Sequence, residues 1–177
     1  MTFKTEARRM LVEAQDYKFS ADHLSKGGKP EFGGAATLLG ILAFEISLKA
    51  CFLLDRNQRP KFGHSYEEGF ADLSEHTQAE VVEAGQNRFA GHVFLQTCDG
   101  GINQDALGKY LEAWRLAFVK GRYSYEALTN ESDDDARRRG EEWLNKGGKP
   151  EDADFAYYPI ELEAMFVGLN DWVERRL

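Results

Sequence analysis

"AATLLGILAFEISLKACFLL", residues 35 to 54, decides the fold. Its apolar side chains neither alternate as on a strand nor keep to one helical face. They run almost all the way round a helix, and the only charges that interrupt them are Glu45 and Lys49. A helix that is apolar on every side has to be surrounded by other elements, so this segment reads as the central helix of a bundle. The same two charges argue for burial inside a protein rather than for a membrane span.

The flanking segments supply the surroundings. Upstream, Ala7, Met10, Leu11, Ala14, Tyr17, Ala21 and Leu24 recur three or four apart and make one apolar stripe. "LSKGGKPE" (24–31) ends that helix, with Lys in the last turn, Gly beyond it and Pro after. The octet returns as "LNKGGKPE" at 144–151. It lacks the earlier Gly, the Ser or Thr after Lys and the preceding strand of a phosphate loop, so both copies read as helix stops. Downstream, Ser65 with Glu68 three residues on predicts a capping box opening a short helix in "HSYEEGFADLSEH" (64–76). A fourth segment with a weaker apolar face, around 77–96, is broken by "CDGGIN" (98–103). Leu107, Tyr110, Leu111, Trp114 and Phe118 mark a fifth helix that runs into "KGRYSYEAL" (120–128). Residues 129–152 place acids before bases, the order a helix dipole favours, and read as a short exposed helix or a mobile insert. The last helix, from about Asp154, presents Phe155, Leu162, Met165, Phe166, Leu169 and Trp172. No segment sustains strand alternation. The expectation is a single all-α domain over 1–177, an antiparallel bundle of four to six helices.

Composition narrows the partners. A hydrophobic content of 42% with 29% charged residues describes an ordinary soluble domain. The formal net charge of -8 disfavours a nucleic-acid coat or general DNA binding, which need a basic stripe to replace counterions. A small anion or another protein is the better partner. "MTFKTEARRM" is charged, without the apolar core of a signal peptide. Cys51 and Cys98 stand far apart with no Cys-x-x-Cys, as reduced thiols of a cytoplasmic protein would.

Three places carry chemistry. Glu45 and Lys49, four apart on the apolar helix, either pair on a solvated edge or mark a polar notch where Glu45 meets a cation from elsewhere. His64 precedes the expected cap Ser65, so its ring lies either beside helix-start amides that favour anions or against a backbone carbonyl of the turn. Arg122, Tyr123 and Tyr125 bring a guanidinium to aromatic rings, a combination that suits a phosphate with a base and equally a last-turn Arg over packed tyrosines.

Taken together, the Glu-x-x-x-Lys of "AFEISLKACFLL" (43–54), the Pro-x-x-Gly-His-Ser of "PKFGHS" (60–65) and the Arg-Tyr of "RYSYE" (122–126) resemble the HEPN family of prokaryotic helical domains. The resemblance spans residues 35–126. It implies a four- or five-helix bundle, a homodimer, and a groove near the His and Arg. Relatives accompany nucleotidyltransferases or serve defence and toxin–antitoxin systems, and some are metal-independent RNases. Their Arg and His are separated by four to six residues. Here Arg59 and His64 have four between them but with Pro60 and Gly63 intervening, and Arg88 and His92 have three. The polar residue expected after the Arg is Pro60 or Phe89.

The resulting expectation is a dimeric binding module for a nucleotide or an RNA end, accessory to a defence or regulatory system. Its groove is built from Glu45, Lys49, His64, Ser65, Arg122 and Tyr123. The alternatives are a metal-independent endoribonuclease and a dimerisation scaffold whose notch is a buried Glu–Arg tie. The nuclease would use His64 or His92 on the 2′-hydroxyl with an Arg, such as Arg122, on the phosphorane. No hydrolase elbow and no metal-ligand spacing is present, and no motif calls for a metal or cofactor. Cys98 with Asp99, His92 and His76 lacks anything to set a nucleophile's geometry.

Overall fold

The computed structural model describes residues 2–27, 33–90, 102, 104–122, 138, 141–142, 145–146 and 157–177. Among them are the helices α1 (Phe3–Lys26), α2 (Gly33–Arg56), α3 (Tyr66–Ala71), α4 (Glu75–Ala90), α5 (Gln104–Arg122) and α6 (Pro159–Glu174), with no strand among the described residues. The fold is the all-α bundle that the apolar periods require. The segment expected as an insert, 129–152, lies outside the described residues except Arg138, Glu141, Glu142, Asn145 and Lys146.

α2 has the central place that its composition demands. By length and composition it could cross a membrane. In the bundle its all-round apolar surface meets α1, α3, α5 and α6, and Ile41, Phe44, Leu48 and Leu53 are each at most 1% exposed. Directions follow from cross-helix contacts. The α1 residues Lys18, Gln15 and Arg8 meet Glu163, Glu174 and the carbonyl of Leu177, so α1 runs antiparallel to α6. Glu6 at the start of α1 pairs with Arg59 just beyond α2, which makes α1 antiparallel to α2 as well. α2 and α6 therefore run the same way. The side chain of Asn170 joins them by donating to Ser47 Oγ at 2.9 Å. α4 lies antiparallel on α6, where Glu80 accepts from Trp172 Nε1 at 2.9 Å and from Arg176, whose guanidinium stacks 3.7 Å from the Trp172 ring.

Helix ends obey local rules where nothing stronger intervenes. Thr2, with ψ of 155°, caps α1 by accepting the Thr5 N–H, and Gly27 closes it with its N–H on the carbonyls of His23 and Leu24. The expected capping box of Ser65 and Glu68 does not form. Ser65 has ψ of 82°, and its hydroxyl makes no cap hydrogen bond. The helix it opens stops at Ala71, and Ser74 starts α4 instead, its Oγ accepting the Thr77 N–H. Asp55 at the end of α2 secures this junction. It accepts the Ser74 N–H and hydroxyl, both at 2.7 Å, and the Thr77 hydroxyl at 2.6 Å. Burial alone would raise the Asp55 carboxyl, but these donors outweigh it and hold the group below its usual range. Cys51, one turn earlier on α2, is fully enclosed, and burial pushes its thiol well above the ordinary range.

α4 and α6 approach each other closely at Gly168. A Cβ there would come 2.5 Å from the Val81 carbonyl oxygen and 3.2 Å from the Gly85 nitrogen, both backbone atoms that cannot swing aside. Gly168→Ala is expected to force the helices apart and cost about 1–3 kcal/mol. Gly108→Ala on α5, where nothing lies within 4 Å, should stabilise by about 0.5–1 kcal/mol. Urea denaturation of both variants measures the two opposite signs.

Candidate functional site

Midway along α2, the Glu45 side chain is only 4% exposed. An isolated carboxylate there would cost several kcal/mol, so the fold has to bring donors to it. Oε1 accepts from Lys49 Nζ at 2.5 Å, one turn further along the helix. Oε2 accepts from Tyr66 Oη at 2.9 Å and from His64 Nδ1 at 2.7 Å. A carboxylate has no proton to give, so Nδ1 is the donor and carries the ring's hydrogen. The helical pair with Lys49 forms, but not on a solvated edge: Glu45 occupies a buried notch, and the partners that come from elsewhere in the chain are His64 and Tyr66. Among the described side chains no arginine reaches it. His64 and Tyr66 stand where the scaffold alternative has a buried Glu–Arg tie.

A tight turn delivers His64. Gly63 has φ of 58°, a backbone region that glycine enters without the Cβ penalty, and the Ser65 N–H closes the turn on the Phe62 carbonyl at 2.8 Å. Phe62 anchors the turn from below. Its ring meets Phe52 edge-on at 5.5 Å and lies so close to α3 that a Cβ at Gly69 would come 2.6 Å from it. The His64 ring leans on Phe118 of α5 at 5.0 Å between centroids. Its side chain is nonetheless 46% exposed. The sequence placed this ring beside the amides of a helix start or on a backbone carbonyl. The structure turns Nδ1 away from both and onto Glu45, because a buried carboxylate is the stronger acceptor.

The electrostatics follow from this geometry. Burial alone would raise the Glu45 carboxyl. The hydrogen bonds from Lys49, His64 and Tyr66 outweigh it and hold the group below its usual range. Burial and then the Glu45 charge push the Tyr66 phenol far above its ordinary value, so it stays a donor. With Nδ1 engaged, Nε2 bonds no described residue in a half-exposed side chain, and Lys49 spends one of its three ammonium hydrogens on the other carboxylate oxygen. The arrangement can take up or release a proton at Nε2, or hold an anion between an imidazolium and Lys49.

Of the residues singled out in the sequence, Glu45, Lys49 and His64 converge. Ser65 lies next to them, its hydroxyl unused in any cap. Arg122 is the last residue of α5, four beyond Phe118 and so on the same helical face by position. Its side chain and Tyr123 lie outside the described residues. Arg59 is held by Glu6 at 3.2 Å and is 73% exposed, while His92 lies outside the described residues. Tyr66 and Phe118 were missed as parts of the site. Tyr66, 0% exposed, donates to the same oxygen as His64, and Phe118 backs the imidazole. A buried phenol one residue beyond His-Ser was the available signal for Tyr66. Among the described residues, no group of three or more His, Cys, Asp or Glu side chains could hold a metal ion. Comparison with protein-family models, with curated proteins and with solved structures finds no match to this chain.

Because the Glu45 carboxyl is depressed in the fold, its contribution to stability is complete above the unfolded value of about 4.3. It is lost as pH falls through the lower folded value. Glu45→Gln is expected to destabilise by about 1–3 kcal/mol at neutral pH. That deficit should shrink as the solution is acidified below about pH 4. Urea titrations of both proteins at neutral and acidic pH measure it. A deficit independent of pH would mean that Glu45 is not ionised in the fold.

Proposed function

We propose that this chain is a binding module for the phosphate of a nucleotide or an RNA end, acting as a homodimer and without catalysis. One observation carries the reading: the two oxygens of a single buried carboxylate hold Lys49 and His64, each partly open to solvent. Two nitrogen donors fixed by one acceptor are preorganised for an anion, since little side-chain freedom remains to be lost on binding. Glu45 and Lys49 cancel in charge, so the cluster turns positive only when His64 is protonated. Anion binding is then coupled to proton uptake, and the acidic balance of the chain selects a small or terminal phosphate over a long polyanion. Arg122 and Tyr123, at and just beyond the end of α5, are the proposed source of a second phosphate contact and a stacking ring. The resemblance to HEPN domains adds the dimer and a role accessory to bacterial defence or regulation.

A second reading rests on the Nδ1 hydrogen bond. An imidazole oriented by a carboxylate through one nitrogen is also how a general base is held, and His64 would then act on a 2′-hydroxyl in a metal-independent RNase. Against it, Arg59, the residue spaced most like the nuclease Arg, pairs with Glu6.

The test is fluorescence anisotropy with a short 5′-phosphorylated RNA and with its unphosphorylated twin, in chelator, at two pH values. Binding is expected to need the phosphate, to tighten at lower pH, and to weaken by about tenfold or more in His64→Ala and Lys49→Met while the RNA stays intact. Unchanged affinity in His64→Ala would overturn the reading. Cleavage by the wild type that His64→Ala abolishes would replace it with the nuclease.

A further inference from the structure

A second concave place in the fold lies toward the beginning of α2, away from the turn that carries His64. Where the end of α1, the beginning of α2 and the beginning of α6 meet, they leave a cavity of about 300 Å³, the lower end of the range for small-molecule sites. Its floor is small and apolar, formed by Ala36, Gly40, Leu162 and Phe166, and Tyr157 stands at its side. The space depends on Gly40. A Cβ there would make ordinary contacts, 3.5 Å from Tyr157 Oη and 3.7 Å from Leu162 Cδ2, so a methyl group fits but takes up room.

The charged wall is uneven. Lys18 Nζ lies 2.6 Å from Asp22 Oδ1 and 2.6 Å from Glu163 Oε2, with the lysine side chain 17% exposed and the two carboxylates 48% and 37% exposed. One ammonium faces two carboxylates, which leaves one negative charge in excess. Each carboxylate keeps a second oxygen that bonds no described residue. The ammonium is therefore the inner, covered partner and the acids are the open ones. Tyr157 completes the wall. Burial pushes its phenol up to about 12, so it stays a neutral donor with an aromatic face.

We infer that this cavity binds a small primary amine, its ammonium bridging the free oxygens of Asp22 and Glu163 and its hydrocarbon part lying over Gly40, Leu162 and Phe166 beside the Tyr157 ring. The Lys18 contacts show that both carboxylates already converge on one ammonium. A second ammonium balances the remaining charge, whereas a carboxylate or phosphate ligand would meet that charge and be repelled. The inference is independent of the phosphate site at His64.

Butylamine and butyrate, alike in length and opposite in charge, are the probes, with binding followed by the amide NMR signals of Thr37 and Gly40 and by calorimetry. Butylamine is expected to bind and to shift those signals, and butyrate to do neither. Glu163→Gln should weaken the amine by about tenfold, because it removes the excess charge and leaves Lys18 paired with Asp22. Gly40→Ala, which the contacts show can be housed without a clash, should weaken it by a smaller factor through lost volume. Glu83→Gln, an exposed acid on α4, should change nothing and separates the cavity from general attraction of amines to an acidic protein. Equal binding of butyrate, amine affinity untouched by both Glu163→Gln and Gly40→Ala, or no binding of either probe would overturn the inference.

Discussion

A carboxylate in the middle of the most apolar helix is the constraint around which the neighbouring structure is arranged. Glu45 cannot stay ionised inside a bundle without donors, and α2 itself provides only one, from Lys49. The other two come from Tyr66 at the start of α3 and from His64 in the turn before it. Gly63 must adopt a positive φ to bring them there, Phe62 must fill the space beneath, and Phe118 of α5 must lie against the imidazole. The connection between α2 and α3 is thereby tied to the core through Glu45 and Phe52 of α2 and Phe118 of α5. A network of this kind contributes more to a unique arrangement than to net stability, since its desolvation offsets much of what its hydrogen bonds return.

Where the chain's local rules and the structure agree, the reason is burial. The stripe Ala7, Leu11, Ala14, Ala21 is buried as its spacing requires, and the all-round apolar character of residues 35–54 does correspond to a central helix. Helix existence follows from apolar periods because hydrophobic burial is the dominant driving force of folding, and spacing alone decides which side chains can share one buried face. The disagreements occur where a distant residue competes. Ser65 and Glu68 have the spacing of a capping box, yet ψ at Ser65 is set by the turn that brings His64 to Glu45, and the local cap is lost. The break at Ala71 and the restart at Ser74 are governed by Asp55, which captures the Ser74 and Thr77 hydroxyls from the end of α2.

The site was legible in part for the same reason. Glu45 and Lys49 are conspicuous because charge in an apolar run is costly wherever it lands, and His64 because it borders a glycine turn. That His64 belongs to Glu45 was not legible, since nineteen residues and a reversal of direction separate them and no periodicity links a helix to the turn beyond it. Tyr66 went unnoticed because a buried aromatic at a helix start looks like core, which it is as well as a donor. Asn170, whose amide joins α6 to Ser47 of α2, escaped for the same cause: one polar residue on an apolar face declares neither its partner nor its register.

The parallel pairing of α2 with α6 has a consequence during synthesis. Ser47 and Asn170 are 123 residues apart, so at ribosomal rates roughly 6–25 s pass between their appearances. When α2 first emerges, α1 is already made and can shield one side of it. The faces later covered by α5 and α6 are then bare on a segment apolar enough to be taken for a membrane span. The chain is therefore most exposed to misdirection and to chaperone capture while half made. Glu45 and Lys49 supply the only charges within residues 35–54, and until the bundle closes they alone set that run apart in charge from an uncharged membrane span.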